Sequence, residues 1–133
     1  MEVELLEIQH FLSQYPPFNL LPEEAIKEAA QSVEISYYRA ESMMIGFGDE
    51  IKDLYMVRSG IIEVYRRNGE LYNRLDEGSI FGQMGLLMNN KVRFPAKALN
   101  DSLLYCIPES VFDDFCERYD EFSDFVEVED VTR

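Results

Sequence analysis

The chain has 133 residues, 47% of them hydrophobic and 13% aromatic, enough for one packed core and too apolar for disorder. Its 26 acidic side chains outnumber 12 basic ones, a net charge of −14 that argues against the basic stripe needed to bind nucleic acid or an anionic membrane surface. Any anionic ligand must therefore be held by a local arrangement that offsets the global field.

The N-terminus, MEVELLEI, is acidic where a secretory signal is basic, and no apolar run approaches the ~20 residues that span a bilayer. Cys106 and Cys116 form no CxxC pair and read as reduced thiols, so a soluble, cytoplasmic protein is expected. Leu5, Ile8 and Leu12 recur at helical spacing over residues 4–14, and Tyr15-Pro16-Pro17 ends that helix. Pro22 with Glu23 and Glu24 opens a second short helix, with Ile26, Ala29 and Ala30 facing inward.

The middle of the chain reads as strands. VEISYY (33–38), SMMIGF (42–47), LYMVRS (54–59), IIEVYR (61–66) and ELYNRL (70–75) are short, rich in β-branched and aromatic residues, and punctuated by glycine. In 61–66, Ile62 and Val64 share one face while Glu63 and Tyr65 share the other, the period of a half-buried strand. Asn68-Gly69 is the firmest hairpin signal. After residue 83 the alternation stops, and GLLMNN (85–90) suits one helical turn. Strand character resumes in AKALNDSLLYCI (96–107), split at Asn100-Asp101. Pro108 then starts a final helix carrying Phe112, Phe115, Tyr119 and Phe122 on one stripe.

The parts of an active site are missing. His10 is the only histidine, so neither a His-based metal site nor a Ser-His or Cys-His pair can be assembled. In GFGDEI, Ile51 stands where a dinucleotide fingerprint needs its third glycine, and no GxxxxGK[ST] loop occurs. Asp120, Glu121, Asp124 and Glu127 lack the spacing of a calcium loop and read as a solvated helix face. No catalytic residue, metal ligand or cofactor is assigned, and the domain is not expected to be an enzyme.

FGQMGLLMNNKVRFPAKA (81–98) remains. Gly82 permits a sharp turn, a short helix near residue 84 would present unpaired backbone N–H groups, and Arg93 has the reach to grip a phosphate by two parallel hydrogen bonds. Lys91 and Lys97 would add field. The bland alternative is a loop between strands with a solvated arginine.

With its surroundings, this stretch resembles the cyclic nucleotide-binding domain family, the regulatory module of catabolite-activator-type transcription factors, cyclic-nucleotide-dependent kinases and gated channels. DLYMVRSGIIEVY (53–65) is similar to the family's strand-turn-strand stretch, and GSIFGQMGLLMNNKVRFPAKA (78–98) to its phosphate-binding cassette. The N-terminal helices and the helix opening with IPESVF (107–112) also match. The resemblance implies a mainly β fold over residues 1–126, a jelly-roll β-roll of about eight strands with helices at both ends. Residues 127–133 would begin a linker or a frayed terminus.

The resemblance further implies a site. Arg93 would hold the phosphate, Gln83 a ribose hydroxyl, and Gly82 with the backbone N–H groups near Met84 would complete the cradle. The ligand would be cyclic AMP or another cyclic or phosphate-bearing nucleotide. Two positions depart from the family. Gln83 replaces the usual glutamate, a loss on the order of 1 kcal/mol or about tenfold in affinity. Phe94 replaces a small, often hydroxylated residue, and Pro95 removes a neighbouring N–H.

The opening through residue 25 and ALNDSLLYCIP (98–108) are most similar to the N-terminal module of bacterial signalling proteins that fuse this domain to paired CBS domains and a nucleotidyltransferase-like region. That likeness implies a sensor whose C-terminal helix shifts on binding and biases downstream domains of the same chain. The alternative is a scaffold of the same fold that binds no ligand and docks or homodimerises through its aromatic helices.

Overall fold

The computed structural model describes residues 2–132. It divides into two compact units: Glu34–Cys106, and the segments that precede and follow it, up to Val33 and from Ile107.

Glu34–Cys106 is the β-roll. Its strands are β1 (Glu34–Tyr38), β2 (Met43–Ile45), β3 (Asp53–Ser59), β4 (Ile62–Tyr65), β5 (Leu71–Leu75), β6 (Ile80–Phe81), β7 (Ala96–Ala98) and β8, which starts at Ser102 and runs to Pro108. They form two four-stranded antiparallel sheets, ordered β1-β8-β3-β6 and β2-β7-β4-β5. The expected architecture of about eight strands with helices at both ends is what the chain adopts. Val57, Ile62, Val64, Phe81, Ala96, Ala98 and Leu104 form the core of the roll. Ile62 and Val64 are buried as their spacing predicts, but Glu63 on the opposite face of β4 is only 6% exposed. The strand is covered on both faces rather than half-buried, because Tyr65 and Arg74 close over the carboxylate.

The hairpin between β4 and β5 forms at Asn68-Gly69. Gly69 takes φ +93°, its N–H donates to the Arg66 carbonyl, and the Arg66 N–H donates to the Glu70 carbonyl. That closes a three-residue loop whose last residue is left-handed, a conformation that favours glycine. Arg66 and Arg67 are thereby fixed at the hairpin tip.

The second unit is helical. It contains α1 (Glu2–Leu12), a 3-10 turn (Phe18–Leu20), α2 (Glu23–Ser32), α4 (Glu109–Arg118) and α5 (Asp120–Thr132); α3 lies in the roll, at Gln83–Leu87. Ile26, Ala29 and Ala30 face inward as expected, whereas Leu5 is 36% exposed and Phe11 is buried in the α1 stripe. The single C-terminal helix read from the aromatic spacing is two helices, because Tyr119 is extended at φ −130° and ψ 105°. Across the break the Phe122 ring packs edge-on against Phe18, Phe112 and Phe115, with centroids 5.6–5.9 Å apart. Residues 127–132, expected to open a linker or a frayed end, run on as α5; Arg133 lies outside the described residues.

Candidate functional site

Two glycines fit the cassette against the rest of the roll. Gly82 caps α3 at φ +97°, and a Cβ there would meet Ile51 Cδ1 at 2.8 Å and the Asp53 carbonyl at 3.3 Å. A Cβ on Gly85 would meet Ile51 Cγ2 and the Lys91 carbonyl, each at 2.8 Å. The helix seats on Ile51 only because neither residue has a side chain. The loop after α3 then runs beside residues 48–51. Gly48 N–H donates to the Val92 carbonyl (2.9 Å), Val92 N–H to the Asp49 carbonyl (2.8 Å), and Ile51 N–H to the Asn90 carbonyl (3.0 Å). GFGDEI, which fails as a dinucleotide fingerprint, thus serves as the wall that fixes the cassette. The one-turn helix expected near residue 84 is present, five residues long.

Gln83 is 8% exposed, and among the described residues its buried Oε1 has no hydrogen-bond partner. An acceptor left in that state costs about 1–3 kcal/mol. Met84 is half-buried, and its carbonyl accepts from the Met88 N–H. Arg93 is exposed; its Nη1 donates to Met88 Sδ at 3.2 Å, a weak acceptor for a guanidinium. Phe94 stacks flat on Tyr72, with centroids 4.8 Å apart and planes 7° from parallel, packed against the roll's core.

An open surface cavity of about 690 Å³ lies beside the cassette, lined by residues of the roll. Arg66 and Arg67 of the hairpin tip line it together with Lys91, Arg93, Phe47 and Phe94, and no carboxylate does. It has the size of a small-molecule site. The structure therefore brings Arg93 and Phe94 into one cavity, while Gly82, Gln83 and Met84 do not line it. Lys91 lines the cavity as well. Lys97 does not: its Nζ pairs with Glu41 at 2.9 Å, and that carboxylate raises its pKa.

Arg66, Arg67 and Phe47 escaped the sequence reading. The one available signal was two adjacent arginines before a turn in an acid-rich chain. Each guanidinium rests on a ring: Arg66 lies 4.7 Å from the centroid of Tyr72 and Arg67 4.7 Å from that of Phe47. Among the described residues, Arg66, Arg67, Lys91 and Arg93 form no ion pair with a carboxylate.

Among the described residues there is no cluster of three or more His, Cys, Asp or Glu able to hold a metal. Both cysteines are free. Burial raises their pKa values, that of Cys116 to about 11, which keeps them as thiols at neutral pH. No helix among the described residues is long and apolar enough to cross a membrane.

Residues 35–119 match a family model described as the cyclic nucleotide-binding domain. No curated protein matches the chain in sequence. Among solved structures, it is similar to the regulatory domain of Toxoplasma gondii PKA crystallised with cAMP (20% identity, TM-score 0.78, 86% of this chain and 45% of that one). It is also similar to the Thermus thermophilus catabolite activator protein (22% identity, TM-score 0.74, 87% and 56%). A Geobacter metallireducens protein, provisionally designated cyclic nucleotide-binding, matches at 18% identity and a TM-score of 0.81 over 94% and 96% of the two chains. The chain spans less than half the length of the kinase regulatory chains it matches, 42% of one and 45% of the other.

Proposed function

Because the chain belongs to the cyclic nucleotide-binding domain family, we propose that its roll is a ligand-responsive regulatory domain with an atypical phosphate cassette. The ligand is cyclic AMP or another cyclic or phosphate-bearing nucleotide. The observation that carries this reading is the orphaned Oε1 of Gln83, a buried acceptor at the cassette position where the family places a ribose contact. A ribose hydroxyl is the donor it lacks. Arg93 takes the phosphate, and only its bond to the Met88 sulfur has to be given up to do so. Gly82, Gln83 and Met84 lie outside the cleft that Arg93 lines, so on this reading the ligand reaches from that cleft to the head of α3.

Phe94 supplies no polar contact to the phosphate. With the neutral Gln83, this weakens binding by ~2–3 kcal/mol, about 30- to 150-fold, relative to a typical cassette. Dissociation constants in the tens to hundreds of micromolar are expected. The domain regulates and does not catalyse. We assign it to the N-terminal end of a longer bacterial signalling protein, supported by the likeness of its opening and of residues 98–108 to CBS and nucleotidyltransferase-like fusions. Strand β8 passes directly into α4, so a change in the roll has a covalent route to whatever follows.

A second reading has its own observation. The Tyr72–Phe94 stack packs against the roll's core, as expected of a roll that serves only as a scaffold. Calorimetric titration with cyclic AMP separates the two. The ligand reading expects heat that saturates below millimolar and at least a tenfold loss of affinity in Arg93→Ala. No heat up to millimolar ligand, together with no shift in Tm, would leave the scaffold.

A further inference from the structure

Four of the chain's 12 lysines and arginines line one cavity, in a protein whose net charge is −14. Other cations are used differently: Arg74, Lys97 and Arg118 each pair with a carboxylate. Arg66, Arg67, Lys91 and Arg93 have no such partner among the described residues, although acids outnumber bases by more than two to one. Grouping like charges costs repulsion that solvent screens only in part, and a bound anion would relieve the rest. A cyclic phosphate carries a single negative charge, which Arg93 alone can match.

The hairpin tip shows how the other charges are presented. Arg66 lies over Tyr72 and Arg67 over Phe47, each guanidinium carbon 4.7 Å from the ring centroid. A ring contact of this kind restrains the guanidinium without using up its five N–H donors on a carboxylate, and those donors bind phosphate in a fork. Asn68-Gly69 fixes the tip so that both arginines line the cavity with Arg93 and Lys91. They come from a different part of the chain than the cassette, so the cavity is lined by two separate pairs of cations.

We propose that the preferred ligand of this cavity carries two linked phosphates, as in a linear nucleoside diphosphate, with one phosphate at Arg93 and Lys91 and the next at Arg66 and Arg67. This rests on the reading of the roll as a nucleotide-binding regulatory domain and narrows its ligand class. The test is calorimetric titration of the chain with ADP and with cyclic AMP in one buffer, on the wild type and on the double variant Arg66→Ala/Arg67→Ala. Thermal melts would check that both proteins are folded.

ADP should bind about tenfold or more tightly than cyclic AMP, with a steeper loss on adding salt. The double variant should bring ADP down to the level of cyclic AMP. If cyclic AMP binds and ADP binds no better, the diphosphate inference falls and the regulatory reading stands. If ADP alone binds and the double variant abolishes it, the inference stands and the cyclic version of the ligand is discarded. If neither binds, both fall.

Discussion

Glu63 and Arg74 face each other across the body of the β4–β5 hairpin, whereas Arg66 and Arg67 at its tip face no carboxylate among the described residues. Tyr65 Oη donates to Glu63 Oε1 at 2.6 Å and Arg74 Nε to Oε2 at 2.9 Å, so both carboxylate oxygens are satisfied. A buried charge persists only when it is answered in this way. Charges at the tip line an open cavity, where solvent tolerates them, and aromatic rings fix their direction. Within one hairpin, the closed network belongs to the fold, and the open cations belong to recognition on the reading proposed above.

The largest expected effect tests that division through stability. Glu63→Ala strands the Tyr65 hydroxyl and the Arg74 guanidinium and should lower Tm by several degrees. Arg66→Ala/Arg67→Ala removes more charge in total yet should shift Tm by no more than about a degree or two, since exposed cations contribute little. Thermal melts of the two variants in one buffer give the answer. Equal losses would mean that the tip arginines are structural, and the distinction would fail.

A smaller effect is expected at Phe94, where cavity and core meet. Phe94→Ser gives up the stack on Tyr72, a loss of about 1 kcal/mol beyond buried area, and should lower Tm modestly. It also restores room and a hydroxyl beside Arg93, so affinity for cyclic AMP should rise about tenfold. Titration of the variant decides whether the ring blocks the site or forms part of it. A fall in affinity would show that Phe94 contributes a wall that the ligand uses.

Much of the roll was legible because its signals are local. Alternation placed Ile62 and Val64 in the core, and Asn68-Gly69 marked the hairpin that Gly69 closes. Gly82 was legible as the sharp turn that opens α3. The two-residue strand β6 was not, since it exists only by pairing with Tyr55 and Met56. Nor was the break at Tyr119: helical spacing fitted all four aromatics, but the packing of Phe122 against Phe18 is a tertiary fact. The burial of Glu63 depends on Arg74, which comes beside it only through strand register. Arg66 and Arg67 reach the cavity by the same register. Half of the cationic lining was therefore hidden from a reading that follows the cassette along the chain.

Acid pH gives the finest division between the closed network and its surroundings. The Tyr65 hydroxyl first, and then Arg74, hold the Glu63 carboxyl below the ordinary glutamate range, while burial works against them. A folded-state pKa below the unfolded one means that the Glu63 contribution is fully present above about pH 4.3, the unfolded value. It is lost as pH falls through the folded-state value. Asp53 has the opposite sign: burial, and secondarily Glu34, raise its pKa, so its protonation on acidification favours the fold. That effect is common to the wild type and to Glu63→Gln and cancels in their difference. The stability gap between these two proteins should hold steady from neutral pH to about 5 and narrow below about 4. Urea denaturation across that range measures it. A gap that stays constant or widens in acid would mean that the carboxylate charge is not what closes the network, leaving shape and hydrogen bonding to hold the body of the hairpin.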